Sequence, residues 1–267
     1  MLQELPTLSP AQFSLVYNMF SFTVATMASA FVFFILAQKN LAPKYRISMM
    51  VSALVVFIAA YHYFRIFQSW DAAFALNEAA GNYQATGDPF NDAYRYVDWL
   101  LTVPLLMVEL VLVMDLPEGE SGPLAAKLGF AAALMIALGY PGEISASTSQ
   151  RVIWGTASTL PFVYILYVLF TELGDVIQRQ SSKVATLLGN ARLLLLFTWG
   201  FYPIVYCAPY FGFTGATSTV AIQVGYTIAD VLAKAGYGVL IYHIARAKSE
   251  EEGYDVGSMV SPAGAEA

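Results

Sequence analysis

The sequence predicts an all-α membrane protein, a bundle of seven transmembrane helices, and three observations carry that expectation. The 267-residue chain is 58% hydrophobic and only 12% charged, with a mean hydropathy of +0.59, far more apolar than an ordinary soluble domain. It divides into seven apolar stretches, near the ~20 helical residues needed to cross a bilayer core of about 30 Å. Its basic residues cluster in alternate connections, as they do where short loops stay on the cytoplasmic side.

The stretches run roughly over 12–38, 47–70, 93–114, 124–141, 151–176, 188–211 and 217–246, the fourth being the shortest. Lys39, Lys44 and Arg46 follow the first stretch and Lys127 follows the third. Arg179, Lys183 and Arg192 bracket the gap between the fifth and sixth, and Arg246 and Lys248 close the seventh. Residues 1–12 and the linker from Asp71 to Asp92 carry no lysine or arginine. The expected orientation is N-terminus outside and C-terminus cytoplasmic, which requires an odd number of spans.

No basic segment followed by a short apolar run and a small-residue cleavage site opens the chain, so the first span is expected to be retained. Cys207 is the only cysteine, which leaves no intrachain disulfide. Turn formers and strand-compatible residues mix between Asn77 and Phe90, predicting a small external β-hairpin between helices 2 and 3. No internal repeat is visible, so residues 1–248 are expected to form one bundle. The acidic segment 249–267 is expected to be a solvated, disordered cytoplasmic tail. Pro104, Pro161 and Pro203 fall inside spans three, five and six, where each removes a backbone hydrogen bond and opens room in the core.

The polar residues at membrane depth carry the chemistry. Lys234 lies within an apolar run with Asp230 one helical turn before it. A charged side chain at the bilayer centre costs about 2.5–3.5 kcal/mol on insertion scales, which makes an intramembrane lysine a functional candidate. Desolvation makes such an amine suited to a Schiff base with an aldehyde, and Asp230, on the same helical face, can supply the counter-charge. Asp98 and Thr102 share a face of the third span, and Glu109 returns to it eleven residues on. At about 1.5 Å per residue the two carboxyls stand roughly 16 Å apart along the axis, too far to share a proton. Arg95 lies one turn outward of Asp98.

This layout suits a proton path, with an acidic group at mid-membrane, a second toward the cytoplasm and a cation outside. Asp98, Asp230 and Arg95 could instead form an ion cluster that only orients helices. His62 changes charge near neutral pH and would tune a neighbouring carboxylate, although a lone histidine there is also a common hydrogen-bonded core residue. Arg65 is expected to snorkel to the outer interface. Trp99 and the stripe Trp199, Tyr202, Tyr206 are core packing or, beside a modifiable lysine, a clamp for a flat conjugated ligand.

Three segments, Arg95-Tyr-Val-Asp-Trp-Leu-Leu-Thr-Val-Pro104, Trp199-Gly-Phe-Tyr-Pro203 and Asp230-Val-Leu-Ala-Lys-Ala-Gly236, resemble the third, sixth and seventh helices of microbial rhodopsins. The resemblance spans nearly the whole chain. It implies all-trans retinal on Lys234 as a protonated Schiff base, with Asp98 and Asp230 as counterions, Asp98 as proton acceptor and Glu109 as cytoplasmic donor. It also implies a retinal pocket made by Trp99, Thr102, Met135, Ser158, Trp199, Tyr202, Pro203, Tyr206 and Asp230. The set Asp98, Thr102, Glu109, together with His62, is the pattern of outward proton pumps of the proteorhodopsin and xanthorhodopsin type. Gly155 stands where many relatives carry tryptophan; in xanthorhodopsin-like proteins a glycine there leaves an opening for a carotenoid antenna, so a hydroxylated carotenoid is a candidate second chromophore. A helix-contact role for Gly155 is the plainer alternative. Residues 208–220 contain no carboxylate, so a paired-glutamate release group is not expected.

The implied setting is a multi-pass protein of the bacterial plasma membrane, a homo-oligomer in lipid with retinal as its ligand and no nucleic-acid partner. A sensory receptor is the rival reading, but it would not need an ionisable Glu109 and would need a transducer. Enzymatic use of Lys234 finds no accompanying polar pocket or soluble domain.

Overall fold

A computed structural model describes residues 5–91, 93–117, 119–145, 147–207 and 211–254. Helix α1 (Pro10–Ala37) starts at a capping box. The Gln12 N–H donates to Ser9 Oγ at 3.2 Å and the Ser9 N–H donates to Gln12 Oε1 at 2.9 Å, satisfying two orphan donors at once. Pro10 occupies the first turn, where its missing N–H is not needed. Helices α2 (Pro43–Ala73), α3 (Ala93–Met114) and α4 (Ser121–Glu143) follow. Helix α5 (Thr148–Tyr167) continues through a π turn (Val168–Glu172) into the short α6 (Gly174–Gln178). Then come α7 (Ser182–Cys207) and a final span in which α8 (Gly215–Val231) passes through a second π turn (Leu232–Gly236) into α9 (Tyr237–Glu251).

Seven helical units among the described residues are long and apolar enough to cross a membrane. Their ends overrun the expected boundaries: the sixth starts at Ser182 rather than 188, and the seventh runs to Glu251 rather than 246. Hydropathy marks only the hydrocarbon depth, whereas backbone hydrogen bonding continues through polar interfacial residues such as Lys183 and Arg246. Pro104, Pro161 and Pro203 lie inside α3, α5 and α7 as expected.

The hairpin is present but begins earlier than the sequence suggested. Strands β1 (Phe74–Asn77) and β2 (Asn82–Ala85) pair antiparallel with Phe74 opposite Ala85, and Gly81 takes the left-handed turn position at φ 63°. Phe74 is drawn into the strand because its ring is buried against Trp70, 4.7 Å between centroids. Leu8 pairs with Tyr83 through two backbone bonds of 2.9 and 2.8 Å, tying the N-terminal segment to the hairpin.

The tail differs from expectation over its first residues. Helix α9 runs on to Glu251, Ser249 Oγ accepts the Ala42 N–H at 3.0 Å, and Arg46 donates to the Tyr254 hydroxyl at 2.9 Å. Residues 249–254 therefore pack on the bundle: Ser249, Glu252 and Tyr254 find partners on the loop after α1 or the start of α2, and Glu250 and Glu251 on the start of α7 and the residue before it. The remainder of the expected disordered tail, 255–267, lies outside the described residues. Lys248 is buried and its ammonium caps α3, donating to the Val113 and Met114 carbonyls at 3.2 and 3.0 Å. Burial alone would raise the nearby Asp115 carboxyl, but its hydrogen bond from Lys44 and the Lys248 charge outweigh that and hold it below the ordinary carboxylate range.

Candidate functional site

The second π turn presents Lys234 to the bundle interior, a kind of local widening that recurs at functional positions. Lys234 Nζ lies 2.5 Å from Asp230 Oδ1 and 3.0 Å from Asp98 Oδ2, and all three side chains are buried. The ammonium thus has two carboxylates, and the spacing of four between Asp230 and Lys234 gives a within-helix pair. Contact with Asp98 is made across the bundle, from α3.

The two carboxylates are not equivalent. Asp230 also accepts from the Tyr202 hydroxyl (2.6 Å to Oδ1), from the Tyr63 hydroxyl (2.6 Å to Oδ2) and from Trp99 Nε1 (3.0 and 3.3 Å). Among the described residues, the Asp98 carboxylate faces Lys234 Nζ and accepts no hydrogen bond of the kind that the hydroxyls and the indole give Asp230. Thr102, expected beside it in the ligand pocket, turns its hydroxyl to the Asp98 main-chain carbonyl at 2.8 Å. Arg95 is buried among aromatic rings, 5.5 Å from the centroids of Phe20 and Tyr226 and 5.8 Å from Tyr63. The Lys234 ammonium lies between the two carboxylates.

A cavity of about 410 Å³ starts at Lys234 and Asp230 and runs between Trp99 and Trp199, past Tyr202 and Pro203, to Met135, Ser158, Tyr206 and Gly155. Its size falls within the range of small-molecule sites, and its walls are mostly apolar, with the charged pair Lys234 and Asp230 at one end. Ser158 fixes one wall by donating to the Met135 carbonyl at 2.7 Å, joining α5 to α4. At the far end a Cβ on Gly155 would stand 2.9 Å from Tyr206 Cε1, and one on Gly142 would collide with the Tyr206 hydroxyl. Tyr206 in turn donates to the Arg151 carbonyl at 2.7 Å. The cavity wall there includes the exposed residues Val152, Thr156 and Thr159, so the space opens sideways beside Gly155 toward the surface of α5.

Glu109 is fully buried, and Ser52 Oγ lies 2.6 Å from its Oε2 and 3.2 Å from the Ser48 carbonyl. His62 is buried with Nδ1 2.9 Å from the Ile58 carbonyl. Arg65 donates to the Tyr94 and Tyr61 hydroxyls at 2.8 and 3.2 Å. Two residues escaped the sequence reading: Tyr63, directly beside the noted His62, and Ser52. For Ser52 the pair of serines four apart at membrane depth was the available clue.

Fold and site together define a class: a seven-helix membrane protein whose mostly apolar cavity ends on a buried lysine flanked by two carboxylates. The chain belongs to the bacteriorhodopsin-like family, whose profile matches residues 15–248. It is 30% identical over 226 residues to the green-light absorbing proteorhodopsin of Gamma-proteobacterium EBAC31A08, covering 84% of this chain and 83% of that protein. Among solved structures it is similar to xanthorhodopsin, a light-driven ion pump with dual chromophore, with 72% identity and a TM-score of 0.91 over 94% of this chain and 100% of that one. A thermophilic rhodopsin is similar at 52% identity and a TM-score of 0.90, covering 93% of this chain and 99% of that one. Retinal is the chromophore this family implies, and the residues present fit it: one amine at the end of a narrow cavity walled by Trp99, Trp199 and Tyr202.

Proposed function

We propose that this protein is a light-driven proton pump that exports protons, with all-trans retinal held on Lys234. The observation that supports this reading best is the inequality of the two carboxylates around Lys234 Nζ. When bound, retinal supplies a conjugated aldehyde, joined to the Lys234 amine as a protonated Schiff base, whose isomerisation by light alters the proton affinity at that nitrogen. Asp230 holds its charge because three further donors stabilise the ionised form. Asp98 lacks those donors, so a proton leaving Lys234 Nζ is accepted at Asp98 Oδ2, 3.0 Å away. Arg95, His62 and Thr102 are positioning residues in this reading: Arg95 holds positive charge outward of Asp98, His62 tunes the region, and Thr102 fixes the Asp98 backbone.

Glu109 is the internal donor. A neutral Glu109 can donate its O–H to Ser52 Oγ while Ser52 donates to the Ser48 carbonyl, which satisfies every proton in the chain of contacts. Trp99, Trp199, Tyr202 and Pro203 wall the space beside Lys234 with apolar bulk. The orientation that makes this export places the N-terminus outside and Glu109 toward the cytoplasm of a bacterial plasma membrane, with the pump a homo-oligomer in lipid. Expressed with retinal, the chain should acidify the medium around illuminated cells, and a protonophore should abolish the change. Alkalinisation, or no response from a coloured protein, would overturn the reading.

A hydroxylated carotenoid is the second ligand proposed, lying against the opening beside Gly155. The exposed Val152, Thr156 and Thr159 in the cavity wall support it.

A further inference from the structure

The cytoplasmic ends of α7 and α9 enclose an open groove of about 730 Å³, far from the lysine site. Lys183, Arg246 and His243 line it with the hydroxyls of Ser182 and Thr186, and one carboxylate, Glu250, lies between the cations. Glu250 is 2.9 Å from Lys183 Nζ and 3.0 Å from Arg246 Nε. The groove thus gathers two permanent cations and a histidine around a single negative charge. Both ion pairs are partly exposed, and such pairs contribute little, so they can open for an acceptor with more oxygens.

The lipid-facing surface leads directly into this groove. On α7 the exposed positions Lys183, Thr186, Leu193 and Phe197 recur at helical spacing, and on α9 and the turn before it His243, Val239 and Leu232 do the same. Below the groove the exposed side chains turn apolar, at Leu193 and Phe197 on α7 and at Val239 and Leu232 on the last span, with Asn190 a polar position at the boundary. We propose that this groove binds an anionic phospholipid, its headgroup phosphate between Lys183 and Arg246 and its acyl chains along the stripes below. Basic pockets between helices at the cytoplasmic interface suit such headgroups, at about 1 kcal/mol per Lys or Arg.

The test uses the full-length protein in detergent, with bound lipid counted by native mass spectrometry during titration with phosphatidylglycerol or phosphatidylcholine. Phosphatidylglycerol should bind in preference, and Lys183→Gln with Arg246→Gln should weaken it by roughly tenfold to thirtyfold. Lys39→Gln, a charge change on an exposed turn elsewhere, should leave it unchanged. Glu250→Gln, which removes the competing carboxylate, should tighten binding, an arm that needs no loss of fold. Equal binding of the two lipids, equal loss with Lys39→Gln, or full displacement by millimolar inorganic phosphate would overturn the proposal, the last by making the groove a free-anion site.

Discussion

Replacing Tyr63 by phenylalanine removes one hydroxyl and leaves a ring that packs on Phe20 at 6.2 Å and beside Arg95 at 5.8 Å. That hydroxyl donates to Asp230 Oδ2 at 2.6 Å, whereas the other donor to the same oxygen, Trp99 Nε1, is 3.3 Å away. A hydrogen bond to a charged group contributes about 1.5–3 kcal/mol, and about 1.4 kcal/mol corresponds to one pH unit in a titration. The hydroxyl stabilises the ionised carboxylate, so its removal favours protonation of the counterion pair. The acid colour change of the retinal-loaded Tyr63→Phe protein should therefore move to higher pH by roughly one to two units. The assay is a dark titration of the visible band, run beside wild type and Tyr202→Phe, which removes the 2.6 Å donor to Oδ1 and should act alike. If the midpoint stays within about 0.3 pH unit of wild type, the donors do not set the charge on Asp230. The inequality of the two carboxylates would then lose its structural basis.

Lys234→Ala should leave no visible absorption after incubation with retinal; a coloured variant would place the attachment elsewhere. Asp98→Asn should lose light-driven acidification and absorb to the red, since one of two charges facing Lys234 Nζ is gone; retained transport removes Asp98 as acceptor. Glu109→Gln should slow the recovery phase after a flash by at least tenfold and make it depend on outside proton concentration, and a normal photocycle would take Glu109 out of the path. Adding hydroxylated carotenoids should give carotenoid bands in the excitation spectrum of the wild type but not of Gly155→Trp, whose side chain must displace Tyr206; absence of those bands from the wild type leaves Gly155 as a helix contact.

The sequence made the spans legible because hydropathy over twenty residues is a property of one helix. Asp230 with Lys234 and Asp98 with Glu109 were legible for the same reason: helical periodicity fixes azimuth within an element. It fixes nothing between elements, and the residues that complete the site sit across helix interfaces. Tyr63 on α2 reaches Asp230 on α8, and Ser52 on α2 reaches Glu109 on α3. Thr102 shows the reverse error, since sharing a face with Asp98 did not bring its hydroxyl to the carboxylate. The hairpin start at Phe74 and the folded residues 249–254 were missed because burial of one ring and a few loop contacts, not composition, decide them.

Vectorial transport needs more than a titratable pair; it needs the pair to be unequal and the next proton source to be walled off. Two equivalent carboxylates at Lys234 would each accept the proton and neither would commit it to one side. Here the four donors converge on Asp230, which leaves its own helix neighbour Lys234 with a fixed counter-charge and makes the cross-bundle partner Asp98 the variable one. Glu109 stands on the same face of α3, three turns further along, fully buried and bonded to Ser52. With about 16 Å of helix between them, Asp98 and Glu109 cannot exchange a proton directly. In the proposed pump the lysine is refilled from the Glu109 side, and direction would follow from where α3 places its two acids.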